Sequence, residues 1–225
     1  PSAMSNDDWF RGAAWDADAK QLFRKKLARA RDQKAYYLRT KASAISGDHP
    51  SDALALYDEY IAADDEHYSR GNYAKSMVCL GLGDIDKALE FLDCAMGKSG
   101  MDMNSPAVLE FAFLVGLHKR SQHYQLALAV MQALDDLAQS SAGHPFPRNF
   151  AGSAGAAFIL YELDQKDGAK DQAESALRLA LAKEGPMPNH PQMGKVPKLP
   201  QEWMNRLIII ADIWDANVLG PQPDI

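Results

Sequence analysis

The stretch from Cys79 to Met96, CLGLGDIDKALEFLDCAM, constrains the fold of this chain more than any other. Gly83 tolerates the left-handed conformation in which many helices end, and Asp84 can cap the helix that follows. After this turn, apolar residues recur at helical spacing and form one face, made of Ala88, Leu89, Leu92 and Ala95. The pattern predicts two antiparallel helices, and such a hairpin needs neighbours to bury its apolar face.

Further hairpins of this kind are predicted along the chain. Apolar residues at helical spacing, separated by short turns, predict helix pairs at residues 34–63, 66–97, 106–139 and 148–183. No stretch alternates for long enough with the two-residue period of a strand. The sequence therefore predicts an all-α fold of about ten helices, most of them in antiparallel pairs.

The ends of the predicted array have patterns of their own. A helix at residues 16–31 comes first, and the aromatic residues before it are expected to cap the array: Trp9, Phe10 and Trp15. Five prolines in residues 184–200 predict a loop, and the apolar face of residues 201–217 predicts a final capping helix. We expect one domain over residues 4–217, an expression remnant at residues 1–3 and a disordered tail at residues 218–225.

The predicted hairpins also repeat in sequence. The packed face of each second helix begins at an alanine, at Ala53, Ala88, Ala127 and Ala169. These alanines are separated by 35, 39 and 42 residues. A Gly-Asp-x-x-x-Ala pattern, with a large apolar residue four positions on and alanine three beyond that, is met by Gly83, Asp84, Ala88, Leu92 and Ala95. Spacing and pattern resemble the tetratricopeptide repeat, whose period is 34 residues.

The resemblance covers residues 34–182, is clear in one repeat and is degenerate in three. The Trp-x-x-Leu-Gly opening that the family uses in its first helix is missing, so the chain resembles a divergent member. Helical hairpins of another solenoid family are the alternative. The family resemblance implies a right-handed superhelical array, with a concave groove lined by the first helix of each pair. It also implies that the groove binds a protein or a peptide.

Carried over by position, the groove lining comprises Arg70, Tyr73, Met77, Ala112, Gly116, Lys119, Arg120, Ala154, Phe158 and Tyr161. The family's clamp for a terminal carboxylate needs lysine or asparagine where this chain has Tyr73, Met77, Ala112 and Gly116. We therefore expect an apolar groove with a cationic rim, which would suit a partner segment with some acidic residues. The candidate partner-binding residues are Arg70, Tyr73, Met77, Lys119, Arg120, Phe158 and Tyr161, together with His190 in the proline-rich loop.

The titratable residues show no sequence motif typical of an active site or a metal site. The six histidines form no His-x-x-x-His pair, and no glycine-rich phosphate loop or Gly-x-Ser-x-Gly turn occurs. The two cysteines, Cys79 and Cys94, lie inside helical patterns, which indicates buried reduced thiols. We expect no catalytic residue, no metal and no cofactor. A chain of this kind, without an apolar run of about 18 residues, is expected to be cytoplasmic and to bind no membrane.

Residues 20–41 hold nine basic residues and one acid, Asp32. A solvated helix face whose charge is offset by Asp58, Glu59, Asp64 and Asp65 explains this run, and so does an acidic protein partner. Nucleic acid is a third explanation, although the net charge of −6 argues against general nucleic-acid binding.

These patterns favour a non-catalytic interaction protein that acts as an adaptor, a dedicated chaperone or an immunity protein that neutralises a toxin. Two alternatives stay open. One is a small-ligand binder or an enzyme with its site near residues 184–200, and the other is a nucleic-acid binder that uses residues 20–41.

The apolar face of the hairpin at residues 79–96 allows a first test. Ala88→Arg would force a charged side chain into the predicted core, so we expect the substitution to unfold the protein, at a cost above about 4 kcal/mol. Far-ultraviolet circular dichroism during heating measures the effect. A variant that melts cooperatively near the wild-type temperature would contradict the predicted core position.

Overall fold

The computed structural model describes residues 8–63, 65–97, 107–140, 150–182, 196 and 198–212. Over these residues it contains α-helices and two single-turn 3₁₀ helices, and no strand. The α-helices are α1 (Asp8–Arg11), α2 (Ala17–Leu27), α3 (Lys34–Ile45), α4 (Pro50–Ala63), α5 (Tyr68–Gly81), α6 (Ile85–Met96), α7 (Ala107–Leu117), α8 (Tyr124–Ser140), α9 (Phe150–Glu162), α10 (Lys166–Ala180) and α11 (Gln201–Ala211). The helices pack in neighbouring pairs, so the all-α prediction is confirmed.

Local sequence sets the starts of two helices as predicted. Asp16 accepts a hydrogen bond from the N–H of Ala19 at 2.8 Å, and Asp84 accepts one from Lys87 at 3.2 Å. Each carboxylate thus satisfies a backbone donor that the first turn of a helix leaves without a partner. Helix α2 ends at Leu27, four residues before the predicted end, because the next residues form a tighter turn with bonds to carbonyls three residues back.

Three turns between paired helices share one backbone geometry. Gly83, Lys119 and Asp164 follow α5, α7 and α9, and their φ angles are 74°, 52° and 57°. In each turn this residue donates its N–H to the carbonyl three residues earlier, and the next residue donates to the carbonyl five earlier. These two bonds satisfy the carbonyls at the helix end and reverse the chain. The left-handed role predicted for Gly83 is confirmed, and it recurs at two residues that are not glycine.

The chain divides into two compact units, unit 1 (Pro1–Ala107) and unit 2 (Val108–Ile225). A continuous array through both units stays a prediction. In unit 1, α3 packs on α4 and α5 packs on α6. Ala88 has no exposed surface, which confirms the contact face predicted for α6.

An aromatic cluster closes the start of unit 1. Phe10 and Trp15 are buried, and the Trp9 ring lies 4.8 Å from the ring of Tyr37. The side chain of Lys41 from α3 reaches beneath this segment. Its Nζ donates to the carbonyl oxygens of Gly12 at 2.7 Å and Ala14 at 3.1 Å, and burial lowers its pKa. The predicted aromatic cap is confirmed, and a buried lysine fixes it to α3.

In unit 2, α7 and α9 touch through their backbones. A methyl group on Gly155 would lie 2.5 Å from the carbonyl carbon of Ala112, and one on Gly116 would lie 2.6 Å from the carbonyl oxygen of Gly155. Only residues without a side chain permit this approach. The small residues of α9 therefore let its backbone pack directly on that of α7. Helix α11 packs against both α9 and α10, and buries Leu207, Ile208, Ile210 and Ala211.

The contact between α7 and α9 gives a second test. Gly155→Ala would place a methyl group against backbone that cannot rotate away, so we expect a loss of at least about 2 kcal/mol in the free energy of unfolding. Gly168→Ala in α10 is the matched control, because its methyl group would first meet Leu160 at an ordinary 3.4 Å. The control should change stability by less than about 1 kcal/mol. Equal urea midpoints for the two variants would rule out the close approach.

Candidate functional site

Helix α5 exposes one narrow stripe. Arg70 is exposed, Tyr73 is half-buried and Met77 is 45% exposed. These residues follow one another at intervals of three and four, so they lie on one side of the helix. The structure therefore brings together three of the predicted partner-binding residues, and all three belong to unit 1.

The opposite side of α5 fixes the orientation of this stripe. Gly71 lies so close to Ile61 that a methyl group there would overlap the isoleucine side chain. Lys75 is buried, pairs with Asp58 of α4, and lies 4.1 Å from the centre of the Phe91 ring. Asn72 donates to the carbonyl of Tyr68 at 2.9 Å. Because the buried polar groups have partners, α5 has a defined rotation about its axis.

The side chains of the stripe suit a ligand that carries both apolar and acidic groups. Met77 offers a flexible thioether that adapts to apolar side chains, and Tyr73 adds an aromatic ring. Arg70 provides a cation seven residues from Met77, and within the described part of the chain no carboxylate pairs with it. A segment that carries an apolar residue beside an acidic one would satisfy both ends of the stripe.

The remaining predicted site residues belong to unit 2 or lie outside the described residues. Lys119 and Tyr161 are exposed, and Arg120 is half-buried. Phe158 has no exposed surface and packs in the core, so it offers no side-chain surface to a partner. His190 lies outside the described residues. The same burial removes Ala112, Gly116 and Ala154 from the expected groove lining.

A side chain from α11 packs over Phe158 within this core. The guanidinium of Arg206 lies 4.2 Å from the centre of the Phe158 ring. It donates to the carbonyl oxygen of Leu117 at 3.1 Å and to that of Gly116 at 3.4 Å. These carbonyls end α7, where the helix dipole favours a cation. Together with the apolar core around it, this interaction places Phe158 in the interior rather than facing a partner.

Arg206 also pairs with Glu162 at 3.2 Å, and Glu162 in turn accepts from Lys119 at 2.8 Å. Lys119 is therefore already paired with a carboxylate, which weakens the cationic rim expected in unit 2. The sequence analysis named neither Glu162 nor Arg206, because Arg206 lies 44 residues from Glu162 and 90 from Gly116. No local pattern relates side chains that far apart.

Part of the basic run in residues 20–41 is neutralised within unit 1. Lys20 pairs with Asp52 at 3.0 Å and, through this hydrogen bond, lowers the pKa of that carboxyl. Arg24 makes two bonds of 2.7 Å to the carboxylate of Glu59, and this pairing raises the pKa of its guanidinium. The offset expected from Glu59 is thus seen, whereas Asp58 pairs with Lys75 and Asp64 lies outside the described residues.

The two cysteines, Cys79 and Cys94, are free thiols. Burial raises the pKa of the Cys79 thiol, which holds it in its protonated, weakly nucleophilic form. Across the described ranges, no three histidine, cysteine or acidic residues gather in a group that could hold a metal ion. None of the described helices combines the length and apolarity needed to cross a membrane.

Comparisons with known proteins add no assignment. No family model, no curated protein and no solved structure matches this chain.

The contacts of Arg206 lead to a third test. Arg206→Met keeps an unbranched side chain over Phe158 and removes the charged donors from the end of α7. We expect a loss of about 1–3 kcal/mol in the free energy of unfolding, the usual cost of removing a hydrogen-bonded charge. Urea denaturation followed by tryptophan fluorescence measures it. Arg178→Met, on the exposed face of α10, is the control and should cost less than about 0.5 kcal/mol. If the two variants lost the same free energy of unfolding, the contacts of Arg206 with α7 and Glu162 would not stabilise the fold.

Proposed function

We propose that this chain is a non-catalytic protein–protein interaction module and that it binds a protein or peptide segment. The observation that carries the proposal is the stripe of Arg70, Tyr73 and Met77 on α5. A methionine that is 45% exposed lies in line with an aromatic ring and a cation that no described carboxylate satisfies. Exposed apolar groups beside unpaired charge are typical of surfaces that receive a partner.

The repeated turn supports a repeat architecture for this module. In three successive helix pairs, the first helix is followed by a residue in the left-handed conformation and by the same two backbone hydrogen bonds. We propose that the pairs stack as a divergent, tetratricopeptide-like right-handed superhelix, in which first helices such as α5 line the concave face. This arrangement would turn the α5 stripe toward the bound segment.

Within this proposal the module serves as an adaptor, a dedicated chaperone or an immunity protein that neutralises a toxin. Both cysteines are free, which suits a reducing compartment, and a cytoplasmic location is part of the proposal. Nucleic-acid binding by residues 20–41 is less favoured than their composition indicated. Lys20 and Arg24 are paired with carboxylates and Lys41 is buried, so these three charges are not free to contact phosphate.

The α5 stripe can be tested with one substitution. Met77→Asp places a charge where the proposed partner buries an apolar group, so we expect binding to fall at least about tenfold. The measurement has two steps. Tagged wild-type protein first captures its stoichiometric partner from the source cell, and titration calorimetry then compares the purified partner with each variant.

The matched control is Leu82→Asp, which alters a leucine that is 57% exposed in the turn after α5. It should leave the affinity within about threefold of the wild-type value, since scattered surface residues contribute little. Both variants should melt like the wild type. If Met77→Asp binds the partner as tightly as the control does, the α5 stripe is not the binding face.

A further inference from the structure

The basic run of residues 20–41 divides into two groups in the structure. Four cations are engaged inside unit 1: Lys20 and Arg24 pair with carboxylates, Lys26 lies 5.4 Å from the Trp9 ring, and Lys41 is buried against backbone carbonyls. Arg39 is half-buried. The other four are exposed, and no described carboxylate pairs with them; they are Lys25, Arg29, Arg31 and Lys34.

These four cations lie on the exposed segment that joins α2 to α3. Lys25 lies in the last turn of α2, Arg29 and Arg31 lie in the connection to α3, and Lys34 is the first residue of α3. Along residues 28–34 every side chain is exposed except Ala30, which is half-buried. One acid, Asp32, accompanies them, so a net positive charge is concentrated within ten residues of chain. We call the four residues the basic surface.

Local stability does not account for the whole basic surface. A cation near the end of α2, such as Lys25, interacts favourably with the helix dipole. Lys34 has the opposite position, because it begins α3 at the positive end of that dipole. The first turn of α3 contains no acid, and the side chain of its N-cap residue, Gln33, makes no capping bond. Positive charge thus accumulates where an acidic residue would stabilise the helix.

We infer that the basic surface is a docking site for an acidic segment of a partner protein. Lys25, Arg29, Arg31 and Lys34 supply the charges, and the uncapped N–H groups at the start of α3 add hydrogen-bond donors for carboxylates. The inference rests on the proposed interaction role and uses a surface separate from the α5 stripe. It names the chemistry of the partner, which is a short run of aspartate or glutamate.

A protein segment fits this surface better than a nucleic acid does. The cations occupy one end of α2, whereas its other end carries exposed Asp16 and Asp18. Asp52 and Glu59, which pair with Lys20 and Arg24, add further carboxylates beside α2. A long phosphate backbone would meet this negative charge and the net charge of −6, while a short acidic segment can stay within the positive area.

The experiment compares two probes of equal charge on the full chain. One is a fluorescent polyglutamate peptide, and the other is a fluorescent single-stranded DNA oligonucleotide. Fluorescence anisotropy at low salt measures both affinities. We expect the peptide to bind more tightly than the oligonucleotide, and its affinity to fall as salt is raised. Tighter binding of the oligonucleotide, or no binding of the peptide at low salt, would overturn the assignment.

Two charge variants locate the binding. The surface variant changes Lys25, Arg29, Arg31 and Lys34 to glutamine. The control variant changes Lys87, Lys170, Arg178 and Lys198, which are exposed elsewhere, to glutamine. Both remove four positive charges from the same chain. We expect the surface variant to bind the peptide more than about tenfold more weakly and the control to stay within about threefold. Equal weakening of the two would show that net charge alone drives binding and would overturn the docking site.

Thermal melting separates docking from a structural role. Lys34 opposes the dipole of α3, whereas Lys25 complements the dipole of α2, so removing both has effects that largely offset each other. We expect the surface variant to melt within about 4 °C of the wild type. A larger fall in melting temperature would mean that the four cations support the fold, which would contradict the inference. The surface variant leaves the α5 stripe unaltered and is tested with the peptide, whereas Met77→Asp is tested with the captured partner, so failure of the basic surface is distinguishable from failure of the α5 stripe.

Discussion

Three of the helix pairs depend on where their first helix stops. When the residue after the helix adopts a left-handed conformation, its N–H and the next one bond back to the last carbonyls and the chain reverses. The second helix then packs along the first, and each covers the apolar face of the other. Gly83 takes this conformation at little steric cost, whereas Lys119 and Asp164 do so at a cost of about 1 kcal/mol. The burial that follows outweighs that cost.

A second constraint is that long cations lie inside the units and must be satisfied there. Lys41 binds two carbonyls beneath the aromatic cap, Lys75 binds Asp58, and Arg206 binds the end of α7 together with Glu162. In each case the aliphatic stem packs among apolar groups while the charged head finds oxygen atoms. These side chains connect helices that are distant in sequence, and they leave fewer free cations than the composition indicates.

The proposed binding surfaces are formed by cations that have no carboxylate partner within the described part of their unit and by apolar groups that are at least partly exposed. Lys20, Arg24 and Lys119 already have carboxylate partners, and Phe158 is covered by Arg206. The α5 stripe and the basic surface are different, because their cations have no carboxylate partner among the described residues. Both belong to unit 1. Two surfaces on one small scaffold allow a partner to be held by an apolar contact and oriented by charge.

The sequence by itself determined the helices, their capping residues and the apolar faces, because these follow from local spacing and backbone preference. Asp16, Gly83 and Asp84 have the roles their residue types predict, and Ala88 is buried as the helical period requires. Tertiary structure alone decided which polar residues meet. The pairing of Arg206 with Glu162, and with it the burial of Phe158, depends on the packing of α11 against residues far away in the chain. The site prediction depended on such pairings, since a cation is available to a partner only when no distant carboxylate has already bound it.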